Sequence, residues 1–497
     1  MASQPRRAGK RISMTTSVTP ALQPIRPAYH VRILEDEQLK QIRSATLEIL
    51  GDVGIHCPSR KALAIFASHG AQVDFETEIV RLPADLVLQA MSHAPRFYCM
   101  GARRPDFDLN LDGTAMFCAT DGCGVEVIDF VSGERRASRK DDVAQLAIVS
   151  DYLSSIAFYW PIVSAQDCPK TAPLHELDAS YNNTVKHVQS ETIMGAKLAD
   201  YAVEMALVMA GNRTALRQRP PLSLLVCCIA PLGLDPEGTE SALVFAGAGL
   251  PVGFMSMANV GSTGPATLAG TLVTGDAEIV AAMTLIQLAH PGAPVFHSMM
   301  PGVMHPHTGA YLATAMEGTL LYPIGVELAH MWGVPTLAGI FATDGQVPGW
   351  QAGSEAASSL LLCALAGAET GSGLGLLESC TLLDAPEILL DSDIYHRIRM
   401  EAAGLDTGHL SLALDVIREV GPRGNFLKHR HTRENTRKRI LSELTMQPAS
   451  GHGFRDPIDV AREKVNWIIK NHHPEPLEKP KQRELARILA AADNQVG

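Results

Sequence analysis

Carboxylates and aromatic rings recur in this chain at the ends of short apolar runs. Asp121, Trp160, Phe341, Asp344 and Glu378 each lie at or just beyond such a run, with Trp350 and Gln351 a few residues past one of them. In a chain that alternates strands with helices, these are the positions where reactive groups collect. A π face attracts a cation electrostatically, so rings beside one or two carboxylates suit a quaternary ammonium ion, which has no N–H to offer. The stretch PTLAGIFATDGQVPGWQAGSE, Pro335 to Glu355, concentrates the pattern: a β-like run, a polar break at Thr343 and Asp344, then Gly349-Trp350-Gln351 leading into a helix. Aromatics are only 5% of the chain, yet Phe117, Tyr159, Trp160, Phe254, Phe296, Phe341 and Trp350 all fall near predicted strand ends. Taken singly, each is an ordinary core residue.

Other chemistries find less support. His305 and His307 flank Pro306 and would serve a metal-dependent barrel hydrolase only if a carboxylate converged on them. No Gly-x-Ser-x-Gly elbow offers a serine nucleophile. The nine cysteines, odd in number and without CxxC spacing, read as buried thiols of a reducing cytosol. A net charge of -11 argues against nucleic acid or an anionic membrane as partner. No run reaches the ~18 residues of a membrane helix without Gly, Pro or charge. The opening MASQPRRAGKRISMTTS is basic and lacks an apolar h-region, so it reads as a disordered tail or an early start ahead of Met14.

The elements that must position these groups follow from periodicity. Residues 1–30 are expected to form a tail and 31–112 an N-terminal helical cap, with helices from Asp36 and Pro58. Residues 125–139 alternate around Ser132-Gly133 as a hairpin. Eight short apolar segments follow: Ala115–Ala119, Ile156–Val163, Glu191–Gly195, Leu222–Ile229, Pro251–Met257, Pro294–Met299, Pro335–Phe341 and Glu369–Gly375. Most precede a helical stretch, the clearest being Thr271 to His290. Eight such units predict an α/β fold, a (β/α)8 barrel over 113–415, with a helical extension over 416–497. An open doubly wound sheet is the alternative, and the absence of Gly-x-Gly-x-x-Gly after the first strand counts against it. The basic run Lys428 to Arg439 reads as a solvated helix face.

Several stretches together resemble the trimethylamine methyltransferase family. They are Asn183-Thr184 with Lys186-His187, Ala230-Pro231-Leu232, Leu268 through Thr274, Ala277-Glu278, Pro291-Gly292-Ala293, Val347-Pro348, Gln351-Ala352-Gly353 with Glu355, and Leu377-Glu378. The resemblance runs from about Leu34 to the C-terminus. It implies a (β/α)8 enzyme that moves a methyl group from a methylamine to the cobalt of a corrinoid on a separate protein. Members acting on trimethylamine carry pyrrolysine at the end of the seventh strand, and an ungapped alignment places Phe341 there. Members without it, where their activity is known, demethylate quaternary amines such as glycine betaine.

On that reading Phe341, Trp160 and Trp350 form an aromatic cage, Asp344 and Glu378 face the ammonium, Gln351 joins the substrate site, and Lys186 or His187 meets a substrate carboxylate. No tightly bound cofactor is expected, because an Asp-x-His-x-x-Gly corrinoid motif is absent. The expected partners are a methylated amine, a corrinoid protein and further copies of the chain. A non-catalytic methylated-amine binder remains the other alternative to the hydrolase.

Overall fold

The computed structural model describes residues 18–122, 124–437, 442, 444 and 455–496. Eight parallel strands form one sheet: β1 Phe117–Thr120, β2 Ile156–Tyr159, β3 His187–Ser190, β4 Leu222–Cys227, β5 Val252–Ser256, β6 Val295–Met299, β7 Leu337–Gly339 and β8 Thr370–Leu374. They run in the order β6-β5-β4-β3-β2-β1-β8-β7. A parallel bridge between His297 and Thr336 brings β6 back to β7. The His297 amide donates to the Pro335 carbonyl (3.0 Å) and the Thr336 hydroxyl to the His297 carbonyl (3.1 Å). The ladder thus closes into a barrel, which removes both sheet edges.

Each strand is followed by a helix: α1 Lys140–Tyr152, α2 Ala172–Asn183, α3 Ala196–Ala210, α4 Pro236–Ala248, α5 Leu268–Ala289, α6 Leu321–Trp332, α7 Trp350–Ala366 and α8 Ala385–Ala402. Glycines in the left-handed region end α4, α6 and α7 at Gly249, Gly333 and Gly367, so each chain turns at once into the next strand. By length and composition α5 could cross a membrane, but it is 78% buried inside the protein. Its buried carboxylates are occupied. Asp276 accepts from Thr46 (2.7 Å), His297 Nε2 (3.1 Å) and Trp332 Nε1 (3.0 Å), joining the N-terminal helix Asp36–Asp52, β6 and α6. Glu278, pushed up to about 7 by burial, accepts from the Leu232 amide and the Ser256 hydroxyl.

The N-terminal region departs from a purely helical cap. Its helices pack on α5, but strands Tyr98–Met100 and Leu109–Leu111 form a hairpin whose Met100, Leu109 and Leu111 join Phe117, Phe158, Leu225 and Phe296 in the barrel interior. Part of the expected tail, 1–30, is packed on the barrel. Residues 1–17 lie outside the described residues, whereas Ile25 is fully buried and pairs with Met116. The hairpin at 126–137 is present, and its strands join Leu376–Leu377 and Leu382–Leu383 in a small sheet on the rim. Helices Pro457–Asn471 and Lys479–Val496 pack along α1 with α8 and along α3 with α2 respectively. The basic run Lys428 to Arg439 is described only as far as Arg437.

One strand sits elsewhere than its hydropathy predicts. β3 covers His187–Ser190, four residues before Glu191–Gly195. Lys186 and His187 therefore lie at the N-terminal end of the barrel, away from any substrate carboxylate at the mouth. Lys186 is buried, and its ammonium donates to the carbonyls of Ser150 (2.6 Å), Leu153 (2.7 Å) and Ile156 (2.6 Å). His187 Nδ1 meets the Gly101 carbonyl and Nε2 the Ser223 hydroxyl. Both are fasteners of the barrel floor.

Burial lowers the Lys186 amine to about 7, against the attraction of Asp151. A folded value below the unfolded one means the unfolded chain binds the extra proton, so stability rises with pH between about 7 and the ordinary lysine value. Lys186→Met is expected to lose that rise and to cost at least ~2 kcal/mol from stranded carbonyls. Denaturant melts of both proteins across that pH range check it.

Candidate active site at the barrel mouth

Three adjacent strands end in a carboxylate, an indole and a carboxylate. Asp121 follows β1, Trp160 follows β2 and Glu191 follows β3. Side chains alternate along a strand, and the inner face of the barrel is marked by His187, Gln189, Ser223, Leu225 and Cys227, so Glu191 falls on the same inward face. The Cys227 thiol at the end of β4 donates to Glu191 Oε1 at 2.8 Å. The Cys380 thiol, beyond β8, hydrogen-bonds to Asp121 and feels both Asp344 and Glu191. Burial, reinforced by these carboxylates, holds both thiols well above the ordinary cysteine range. They stay protonated, donate to the acids and do not compete as thiolate nucleophiles.

Trp160 is locked in place. Its backbone N–H and carbonyl both bond the Thr120 hydroxyl (3.0 and 2.6 Å). Its indole lies against the α-carbon of Gly122, where an added Cβ would sit 1.7 Å from Nε1. Glycine is required there by contact. One buried polar atom beyond β5, Asn259 Oδ1, lacks a protein partner and could bond a polar ligand; Gln189 Nε2 also lacks one but lies deeper, level with Ser223.

The other predicted site residues take different places. Asp344 accepts from the amides of Ala313 (2.9 Å) and Thr314 (3.0 Å), from the Thr314 hydroxyl (3.0 Å) and from Ser379 Oγ (2.6 Å). It pins three rim loops together, with its oxygens already engaged. Glu378 pairs with Arg135 of the rim hairpin through two bonds of 2.9 Å, which offsets its charge. Phe341 is 1% exposed and belongs to the strand–helix cluster with Ile340, Leu360 and Leu374; its φ of 58° breaks the alternation that would turn it inward. Trp350 is 87% exposed at the start of α7, too far out on the rim for a closed cage. Gln351 bonds Glu355 one turn along the same helix (3.1 Å). His305 Nδ1 caps a surface turn, accepting from the amides of His307 and Thr308.

Glu191 and Cys227 were not anticipated as site residues. The signal available was Glu191 itself, an acid directly after a short run, obscured by the misplaced strand.

Two substitutions separate positioning from bulk packing. Gly122→Ala is expected to displace the Trp160 ring at a cost of ~1 to 3 kcal/mol and to weaken binding of a trimethylammonium ligand, measured by melt and titration together. Phe341→Ala is expected to lower stability by ~3 to 5 kcal/mol while leaving ligand affinity per folded molecule unchanged.

The family model described as trimethylamine methyltransferase (MTTB) matches residues 2–497. The chain is 32% identical over 467 residues to trimethylamine methyltransferase MttB of Desulfitobacterium hafniense (strain DSM 10664 / DCB-2), covering 93% of this chain and 94% of that one. It is 29% identical to trimethylamine methyltransferase MttB of Methanosarcina barkeri, over 93% and 95% of the two chains. It is 27% identical to glycine betaine methyltransferase of Desulfitobacterium hafniense (strain Y51), over 95% and 98%. With a closed (β/α)8 barrel and a match spanning nearly its whole length, the chain belongs to the trimethylamine methyltransferase family.

Proposed function

We propose that the protein is a methyltransferase that removes a methyl group from a quaternary methylated amine, of which glycine betaine is representative, and passes it to the corrinoid of a partner protein. The observation that carries this reading is the Asp121, Trp160 and Glu191 arc on neighbouring strand ends. Two carboxylates flank an immobilised ring, and the adjoining thiols are held neutral. Such a site attracts a fixed positive charge through both Coulomb and quadrupole terms. The phenylalanine at 341, where the resemblance places pyrrolysine in trimethylamine enzymes, supports a substrate that needs no such electrophile.

The chemistry agrees. A quaternary ammonium releases a neutral tertiary amine, so the leaving group requires no proton and the site no general acid. What the chain contributes is orientation: Asp121 and Glu191 hold the cation, Trp160 fixes its height in the mouth, and the unpartnered Asn259 Oδ1 is available to a polar substituent. The partner's corrinoid, when docked, supplies a Co(I) nucleophile.

The rim fits such a partner. Ile229, Met257, Met316, Leu320, Val347 and Trp350, from the loops after β4 to β7, are exposed large apolar groups around the mouth. An apolar rim of this kind marks a surface that is covered during function. It also gives Trp350 a role outside the cage.

Glu191→Gln and Asp121→Asn are each expected to weaken a quaternary amine by about 1 to 3 kcal/mol, the worth of a hydrogen-bonding or ionic contact to a charged group, and to leave an uncharged tert-butyl analogue unaffected. Equal loss for both ligands contradicts the charge reading. Trp350→Ala is expected to leave the melt and amine binding intact while weakening corrinoid-protein binding by ~2 kcal/mol or more. Methyl transfer from glycine betaine and from trimethylamine to the reduced corrinoid protein, followed by its absorption spectrum, tests the substrate class. Transfer from trimethylamine alone, or from neither, overturns it.

A further inference from the structure

The loops after β4 and β5 are held from within the barrel wall by one carboxylate. Glu278, fully buried on α5, accepts from the Leu232 amide through Oε1 (2.8 Å) and from the Ser256 hydroxyl through Oε2 (2.7 Å). Leu232 has φ 53°, in the left-handed region, and its carbonyl accepts from the His56 amide (2.9 Å), so this turn is clamped between α5 and the N-terminal region. The Ile229 amide closes the same turn on the Gly233 carbonyl (2.9 Å). On the neighbouring strand, Ser256 ends β5, and its oxygen accepts from the Ala258 amide (3.3 Å). An added Cβ at Gly275 would lie 2.8 Å from that oxygen, so α5 leaves the hydroxyl little room to turn elsewhere. The tips held in this way carry Ile229 and Met257, two of the exposed apolar groups of the rim.

Both donors to Glu278 are neutral. The charged and titratable groups of the surrounding elements are engaged elsewhere. Cys228, after β4, is held protonated by burial and by Glu278 itself, and Asp235 caps α4 through the Gly238 amide (2.6 Å). Asp276 is taken up by Thr46, His297 and Trp332, Glu327 of α6 accepts from the Ile33 amide, Arg43 lies over the Trp332 ring and the His56 ring faces Glu78. A buried carboxylate in such company costs stability, and glutamine would fit the same space. The amide oxygen of glutamine could serve Leu232, but its NH2 would donate to Ser256, reversing that bond and depriving the Ser256 proton of this acceptor. What the acid alone supplies is the second acceptor.

We propose that ionised Glu278 is a positioning residue of the rim, holding Ile229 and Met257 where the corrinoid protein docks. Protonation undoes the arrangement as an amide would, because the acid then donates to Ser256. Burial pushes Glu278 up to about 7, so the change falls in the neutral range. The identity of the docked partner rests on the methyl-transfer reading; the hold on the two loops does not.

Wild type and Glu278→Gln are compared between pH 6 and pH 8. One pH unit below its midpoint, only about one molecule in eleven keeps Glu278 ionised, so the wild-type KM for the reduced corrinoid protein is expected to be about tenfold higher at pH 6 than at pH 8. The KM for glycine betaine should change little, and Glu278→Gln should show the high corrinoid-protein KM at both pH values. Stability moves the other way. A folded value above the unfolded one means that the wild type loses stability as pH rises from the ordinary glutamate range through about 7. Glu278→Gln is therefore expected to melt no lower than wild type at pH 8. Hydrogen exchange of residues 229–234 and 257–260, corrected for its intrinsic pH dependence, needs no partner: protection should fall towards pH 6 in the wild type and stay low throughout in the variant. A flat wild-type profile, equal changes in both KM values, or loop protection independent of pH overturns the proposal. So does a variant that melts well below wild type at pH 8, the mark of a merely structural group. Methyl transfer absent from wild type at every pH counts against the methyl-transfer reading instead, and loop protection then decides the positioning role by itself.

Discussion

Glu378, Ser379 and Cys380 run in succession with φ of 51°, 52° and 72°, a left-handed turn built without glycine. Each such residue costs about 1 to 2 kcal/mol, so the turn persists only because the rim holds it. The Glu378 amide donates to the Gly345 carbonyl and the Ser379 amide to the Thr343 carbonyl, while Ser379 Oγ reaches Asp344 and Arg135 grips the Glu378 carboxylate. Asp344 in turn ties down Ala313 and Thr314. The product of this network is the direction of the Cys380 thiol, which meets Asp121. The mouth thus inherits its geometry from a strained turn, with acids that resemble catalysts acting as its fasteners.

Polarity in the barrel is layered. At the floor, Lys186, His187 and Ser223 close hydrogen bonds to backbone and to one another, leaving the interior above them to Leu225, Met255, Phe296 and Leu337. Above that apolar layer the carboxylates Asp121 and Glu191 reappear, with the Cys380 and Cys227 thiols among their donors. A carboxylate neutralised by arginine has little left to offer a cation, as Glu378 shows. Asp121 accepts from the Gly122 amide (2.7 Å) and the Cys380 thiol, and Glu191 from the Cys227 thiol, donors that carry no formal charge.

The sequence makes the barrel legible because seven of its strands are short apolar runs set between helices with clear stops. β3 breaks the pattern for a physical reason: His187 and Gln189 face the polar floor beside Ser223, so its hydropathy is that of a loop, and the apolar Ile193 beyond it attracts the assignment. That slip of four residues put Glu191 at the start of a strand and so hid it, whereas Lys186 and His187 fall before the strand or at its first residue in either placement and became site candidates through the family resemblance. Phe341 misled differently. Alternation from Leu337 turns it inward, and only its positive φ, invisible to periodicity, places it in the strand–helix layer. Asp121 was legible because the end of β1 was located to within one residue, whereas the expected second strand, Ile156–Val163, ran four residues past the observed end of β2 at Tyr159 and enclosed Trp160. The roles of Asp344 and Glu378 were not, since hydrogen-bond partners 30 or more residues away, or across the rim on Arg135, leave no local trace.

The central claim is that a cationic amine sits between Asp121 and Glu191 over the Trp160 ring. The most direct measurement is a crystal structure of the protein with bound glycine betaine. The claim predicts its quaternary nitrogen within ~4 to 6 Å of both carboxylates, the range over which an opposite charge acts strongly, with one methyl directed out of the barrel mouth. A nitrogen lodged against Glu378 or Trp350, or anywhere outside the mouth, contradicts it.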